Sequence, residues 1–245
     1  MKFVRLGDLA RIVSGGSLDR SNSSCWNGTI PWITAKDIRD AHINDSLERI
    51  TEFGLKESAS NLLPVGSILV SASMTLENVV ISDVPVAINN DLKAVIVESL
   101  DFDRNYIQQF LLSKANSLEI SGNEWMKKNG HVIKILADID IPLLPVKEQR
   151  RIALILGKVD AICKKRRATL KLADRFLHSI FLDTFGDPVT TPKEWPTSPI
   201  AVQARYTQMH NKMTSIKKKL VNELVQSDFL FKNLAASIFT MSEAV

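Results

Sequence analysis

The 245-residue chain carries 45% hydrophobic and 24% charged residues, the balance of an ordinary globular protein. It has no apolar stretch near the ~18 residues of a membrane span. Met1-Lys2-Phe3-Val4-Arg5 has no signal-peptide core, and Cys25 and Cys163 are too few for a disulfide framework or a zinc site, so a cytoplasmic location is expected. The net charge of +4 is unevenly divided: residues 1–145 hold 14 Lys/Arg against 18 Asp/Glu, residues 146–185 hold 10 against 4, and residues 200–245 hold 6 against 3.

The first 145 residues read as strand-rich. Thr29–Thr34, Gly66–Ser71, Val79–Ile81 and Ala94–Val97 are short apolar runs bounded by Gly, Pro and Ser. Phe102 to Asn116, with Tyr106, Phe110, Leu111 and Leu112 at helical spacing, predicts one helix among them. Ser14 to Gly28 is a long loop rich in Ser, Asn and Gly, the kind of segment that carries binding. Pro142 and Pro145 keep the following linker extended. Glu148 then sits in the first turn of a helix, where a carboxylate favours the positive end of the macrodipole.

From Val146 the pattern changes to a coiled-coil repeat. Ile152, Ile155, Val159, Ile162, Thr169, Ala173, Phe176 and Ile180 follow alternating three- and four-residue steps, with Arg166 the misfit. The helix runs to Phe185 and stops at Gly186-Asp187-Pro188. A second helix repeats the pattern through Tyr206, Met209, Met213, Ile216, Leu220, Leu230 and Leu234. Its end, Leu230, Leu234, Ser237, Ile238 and Phe239, repeats Leu172, Phe176, Ser179, Ile180 and Phe181 at a constant offset of 58 residues. A short connection between two long helices makes them antiparallel neighbours. The expected fold is therefore α+β: a strand-rich globular domain over residues 1–145, a first coiled-coil helix over 146–185, a connector over 186–199 and a second helix over 200–245.

Several stretches, in this order, resemble the specificity subunit of type I restriction–modification systems. Arg5-Leu6-Gly7-Asp8-Leu9 with Ser14-Gly15-Gly16 is similar to the opening of a target recognition domain. Gly28-Thr29-Ile30-Pro31-Trp32-Ile33 with Asp37-Ile38, and Leu63-Pro64-Val65-Gly66-Ser67-Ile68-Leu69, are similar to its strand entries. Ile139–Pro145 with Glu148-Gln149-Arg150-Arg151-Ile152 resembles the hand-off to the conserved helix. Phe181–Pro188, followed by Trp195-Pro196, resembles the end of that helix and the start of a second recognition domain. The chain departs from the family pattern in two places. Ser17-Leu18 stands where Thr-Pro is common, and the second recognition domain is cut off by about Pro199, where the second helix follows at once.

The resemblance implies a non-catalytic subunit that reads double-stranded DNA and directs methyltransferase and restriction subunits to a bipartite site. The methyl donor, ATP and nuclease would belong to those partners, so the chain itself is expected to need no cofactor or metal. Candidate DNA contacts are Ser14, Gly15, Gly16, Ser17, Arg20, Asn22, Lys36, Ser71, Ser73, Lys127, Lys128, Asn129 and His131. Helix pairing is expected through Ile152, Ile155, Val159, Ile162, Phe176, Ile180, Met209, Met213, Ile216, Leu220, Leu230 and Leu234, and a homodimer through the helices would supply a second reading head. Two alternatives stand beside this reading. One is a truncated specificity-subunit remnant that acts only as a coiled-coil interaction protein, binding methyltransferase subunits without reading DNA. The other is a metal-dependent nuclease built on Asp83, Asp91 and Lys93.

Overall fold

A computed structural model describes residues 2–38, 40–71, 79–117, 132–185 and 200–240. The chain divides into two compact units, Met1–Leu156 with Leu234–Val245, and Gly157–Asn233.

The first unit is built on three sheets. β1 (Phe3–Arg5) pairs antiparallel with β10 (Asp140–Pro142), closing the two ends of the strand-rich region on each other. The largest sheet has the order β2-β9-β6-β7-β4, from β2 (Ala10–Ser14), β9 (Leu92–Val97), β6 (Ile68–Ser71), β7 (Val79–Ser82) and β4 (His42–Ile43). All its pairings are antiparallel except β4 with β7. Strands β6, β7 and β9 are buried along their whole length, as their unbroken Val/Ile/Leu runs require. Their side chains meet Ile33, Ile38, Ile43, Leu63 and Ile88 in the main core.

The third sheet, β5-β3-β8, joins β5 (Glu48–Ile50), β3 (Trp26–Ile33) and β8 (Ala87–Ile88) over a smaller core of Ile30, Trp32, Ile50 and Ala87. Two short helices, α1 (Leu6–Leu9) and α2 (Glu52–Glu57), sit at strand ends. Thr51 caps α2 by accepting the Gly54 amide at 3.0 Å. The predicted helix after Phe102 is α3 (Arg104–Ser117), and α4 (Val132–Ala137) follows. Tyr106, Ile107 and Phe110 of α3 are buried. Phe239 closes over Phe110 edge-to-face at 4.9 Å and over Tyr106 at 5.9 Å.

The second unit is a helical hairpin, formed from most of α5 (Val146–Phe185) and α6 (Ile200–Thr240). Arg166 meets Ser227, Arg167 meets Asp228, Asp174 meets Lys217 and Phe181 meets Tyr206. From Arg166 through Asp174 to Phe181 the partner moves back from Ser227 through Lys217 to Tyr206, so the helices run antiparallel. The connector 186–199 lies outside the described residues.

The seam between the helices keeps every second expected position and is displaced by one residue at the positions between them. Val159, Ile180, Met213 and Leu220 are half-buried along it, but the residues that alternate with them are Cys163, Leu170, Leu177, Leu224, Ser227 and Phe231. Ile162 and Phe176 (each 49% exposed), Met209 (38%), Ile216 (47%) and Leu230 (63%) point outward instead. In the first unit Ile152 and Leu234 are half-buried, Leu156 is fully buried, and Ile155 is 39% exposed. Both series obey the seven-residue period. The more apolar Ile155 and Ile162 mask the true series through Leu156 and Cys163. Arg166, the apparent misfit, belongs to the seam: it donates to the Glu223 carbonyl at 2.8 Å and to Ser227 Oγ, and lies 3.7 Å from the Glu223 carboxylate.

Candidate functional site

A polar surface of the first unit grows from a defect in β3. Trp26 and Ile30 both stand opposite Ile50 of β5, so residues 27–29 form a bulge. Asn27 adopts a left-handed backbone with φ 61°, a conformation that Asn tolerates better than most residues. Gly28 is pressed against β5: a Cβ there would lie 2.2 Å from the Ile50 carbonyl oxygen. The bulge is held open by Arg49, which donates to the Thr29 carbonyl at 2.8 Å and to Asp45 Oδ1 at 2.6 Å.

The loop before β3 folds over the same spot. Asp19 accepts the Ser21 amide and hydroxyl, both at 2.8 Å, and these bonds hold its carboxyl below the usual range. Asn22 accepts the Ser24 amide and so caps the short 3-10 turn Ser23–Cys25. Trp26 Nε1 donates to the Asp19 carbonyl at 3.1 Å, and its ring stands edge-on to buried Trp32 at 6.5 Å. Arg20 is thereby delivered over the Trp26 ring, 5.3 Å from its centroid, and forks onto Glu48 through Nη1 at 2.6 Å and Nη2 at 3.0 Å. Its pKa is raised by that bond. Between these side chains lies an open groove of about 500 Å³, lined by Arg20, Trp26, Asn27, Leu47, Glu48 and Arg49.

Of the described residues expected to touch DNA, Arg20 alone lines this groove, and Ser17, Asn22 and Lys36 are exposed elsewhere. The close backbone approach permitted by Gly15 and Gly16 is to the chain's own backbone. A Cβ at Gly15 would lie 2.0 Å from the Asn89 carbonyl oxygen, and one at Gly16 would lie 1.8 Å from that of Ser58. Ser14 is turned to Lys93, whose Nζ donates to its Oγ at 3.0 Å. Ser71 is 4% exposed within β6, a correction to its expected place on the surface. Ser73, Lys127, Lys128, Asn129 and His131 lie outside the described residues. Trp26, Asn27, Glu48 and Arg49 belong to the groove but not to the residues expected from the sequence. The Trp-Asn-Gly turn signal next to a strand is the available clue to a bulge.

The three residues of the alternative nuclease constellation are held apart. Asp83 follows β7 and meets His42 at 2.9 Å, whereas Asp91 precedes β9 and accepts from Asn89 at 2.9 Å. Lys93 is buried in β9, on the other side of β6 from β7. Ser82 bonds to Gly66 and Lys93 pairs with Val70, so the Asp83 and Lys93 ends are offset by roughly 13 Å along β6 at ~3.3 Å per residue. Lys93 Nζ is occupied by Ser14, the Asn90 carbonyl at 2.8 Å and the Leu92 carbonyl, and burial lowers its pKa. Among the described residues no cluster of three or more His, Cys, Asp or Glu side chains is arranged to hold a metal, and no helix is long and apolar enough to cross a membrane.

The hairpin carries a second surface. Ile162, Thr169 and Phe176 on α5, and Met209, Ile216 and Leu230 on α6, recur every seven residues or multiples of seven, each one position from the seam. In an antiparallel pair these two rows flank the same side of the seam. They form an exposed, mainly apolar stripe interrupted at mid-length by Glu223 with Arg166. Lys158, Lys165, Lys212 and Lys219 are exposed one helical step further out and rim it. The other side of the seam carries charge pairs, Arg167 with Asp228 and Asp174 with Lys217.

A strand-rich domain with a polar groove, followed by a long antiparallel helical hairpin, is the class of protein these features define. Residues 1–172 match the family of type I restriction modification DNA specificity domains, and the chain belongs to that family. It is 32% identical over 171 residues to the specificity subunit of a type I restriction enzyme from Escherichia coli, covering 66% of this chain and 41% of that protein. It is 24% identical over 190 residues to the type I specificity subunit MjaIX of Methanocaldococcus jannaschii, covering 75% of this chain and 43% of that protein. The chain thus spans less than half the length of these curated relatives. Among solved structures, the HsdS subunit from Thermoanaerobacter tengcongensis aligns with a TM-score of 0.47 and 17% identity, over 97% of this chain and 44% of that one.

Proposed function

We propose that this chain is the non-catalytic DNA-reading subunit of a type I restriction–modification enzyme, directing methyltransferase and restriction subunits to a bipartite DNA site. Family membership supports the class. The observation that carries the reading for this chain is the groove on the β3 bulge, where donors (Arg20, Arg49, Asn27), acceptors (Glu48, Asn27) and apolar surface (Trp26, Leu47) share one exposed, locally braced patch. Base edges in the major groove present the complementary mixture of acceptors, donors and methyl groups.

On this reading, residues 1–145 form one reading head, residues 186–199 are the remnant start of a second, and the helices of 146–185 and 200–245 are the platform that meets partner subunits. The head is acidic overall, so neutralisation of phosphate falls to the basic helices and to partner subunits. The apolar stripe rimmed by lysines is the surface on which the methyltransferase docks. A single head reads half of a bipartite site, and a second copy supplies the other half. Such a complex works on cytoplasmic DNA.

The test is co-purification with the cognate methyltransferase subunits, followed by mapping of methylated positions in DNA exposed to the complex. Methylation confined to a symmetric interrupted motif is the expected result. A complex that assembles but methylates no defined motif overturns the proposal.

A further inference from the structure

We infer that the groove on the β3 bulge reads a base pair rather than a phosphate, with Arg20 addressing guanine and Glu48 setting its position. This rests on the DNA-reading function proposed above and specifies which atoms carry sequence discrimination.

The first support is charge. Each arginine of the groove is already neutralised: Arg20 is forked onto Glu48 at 2.6 and 3.0 Å, and Arg49 is paired with Asp45 at 2.6 Å. A phosphate-binding site concentrates uncompensated positive charge, because affinity for the backbone comes from released counterions. Here the charge is cancelled but donors remain. A guanidinium carries five N–H groups, and the fork onto Glu48 uses two of them. The others stay available, on a side chain that is 70% exposed.

The second support is orientation. Arg20 is not a free surface side chain. Its guanidinium lies over Trp26, Trp26 is pinned by the Asp19 carbonyl and backed by buried Trp32, and Asp19 is fixed by Ser21. A side chain fixed this way loses little conformational entropy on binding. That matters for directional bonds to the O6 and N7 of guanine and much less for attraction to phosphate. Glu48 acts through Arg20 and is a positioning residue. Its own side chain is 34% exposed and braces the guanidinium through both carboxylate oxygens.

The experiment is selection of bound duplexes from a randomised double-stranded library by the full chain, as wild type, Arg20→Ala, Arg20→Lys and Glu48→Gln, with the salt dependence of binding measured for each. Wild type enriches a motif containing a G·C pair. Arg20→Ala and Arg20→Lys both lose preference at that single pair, by about 5- to 150-fold in relative affinity. The slope of log affinity against log salt stays near the wild-type value. Lysine fails to rescue because it keeps the charge and lacks the fork. Glu48→Gln relaxes the same position without weakening binding overall.

Arg20→Lys indistinguishable from wild type, with Arg20→Ala weakening every sequence alike and reducing the salt slope by about one, makes Arg20 a phosphate contact and overturns the inference while leaving DNA reading intact. No motif enriched by the wild-type chain, together with salt-dependent binding of every duplex, overturns the inference and the DNA-reading function together.

Discussion

Gln149 Oε1 accepts the backbone N–H of Asp103 at 2.8 Å, and this bond ties the first turn of α5 to the start of α3. The same Gln149 side chain donates to the carbonyls of Asp101 and Leu144, each at 2.8 Å, while Asp103 accepts the amides of Asn105 and Tyr106 and so caps α3. Gln149 is fully buried, and both ends of its amide are satisfied. Replacement by leucine removes the partner of three part-buried backbone groups, at ~1–3 kcal/mol for each group left stranded before relaxation. Gln149→Leu is expected to lower the unfolding free energy by about 2–4 kcal/mol in urea titration. A loss under about 1 kcal/mol means that the three bonds are replaced by water.

Arg166 is the counterpart of that latch inside the hairpin. A cation at a seam position costs desolvation but is satisfied only when Glu223 and Ser227 lie opposite, so it disfavours a hairpin slipped by one heptad. Arg166→Leu is expected to change the melting temperature little or to raise it, because a buried polar group replaced by a packed apolar one is often neutral or stabilising. What the variant loses is uniqueness. Its hairpin cross-linking pattern, read between cysteines introduced at exposed positions, spreads over more than one register.

The sequence pattern revealed the helices but not which face they share. A seven-residue period is a property of a whole helix, and a helix with three apolar rows per heptad satisfies two phases equally. Ile162 outweighs Cys163 by hydrophobicity, yet Cys163 is 3% exposed and Ile162 is 49% exposed, because the partner helix and not the side chain decides which row is covered. The strands were legible for the opposite reason: β6, β7 and β9 are buried on both faces and read as unbroken apolar runs. The groove was the least legible part. Arg20 meets Glu48 across 28 positions, and Trp26 and Ile30 share Ile50 as partner only once β5 is paired with β3. Gly15 and Gly16 show how a correct motif takes a different reading: their lack of side chains is required by Asn89 and Ser58 of the same chain. Gly16→Ala is therefore expected to cost about 3 kcal/mol or more in stability, as overpacking against backbone does. A Gly16→Ala variant of unchanged stability would contradict this packing role.

The apolar stripe of the hairpin makes a prediction whose sign depends on the partner. Ile216→Asp and Leu230→Asp alter residues that are 47% and 63% exposed, so circular dichroism and melting are expected to change little. Recovery of the methyltransferase in a pull-down is expected to fall more than tenfold. The rim of Lys158, Lys165, Lys212 and Lys219 then separates two kinds of occupant. A partner bearing carboxylates binds less tightly as salt rises, because screening removes the attraction. A second copy of the same stripe sets lysines against lysines, so self-association strengthens from about 50 mM to about 0.5 M salt. Sedimentation of the isolated chain across that range is expected to show self-association growing with salt, and pull-downs of the methyltransferase are expected to show the reverse.

Cys163 gives the hairpin a pH signature. Burial in the seam, with a further contribution from hydrogen bonding to Asp228, pushes its thiol from 9.0 up to about 11. The folded state therefore holds the proton more tightly than the unfolded state does. Below pH 9 both states are protonated and Cys163 contributes no pH dependence. Between pH 9 and about 11 the unfolded chain alone becomes thiolate, and stability falls through that window. A tenfold difference in proton affinity corresponds to ~1.4 kcal/mol, so the loss accumulated by about pH 10.5 is on the order of 1–2 kcal/mol. Tyr106, raised by burial in the same direction, adds to the alkaline decline. Comparison of wild type with Cys163→Ala isolates the cysteine: the stability difference between them is expected to be constant up to about pH 9 and to narrow in favour of the variant by about pH 10.5. A difference that stays flat over that range shows that the thiol is not confined in the folded seam. Maleimide labelling of the native protein at about pH 8 is expected to be slow at Cys163 and to become fast only in denaturant, since the thiolate is the reactive form.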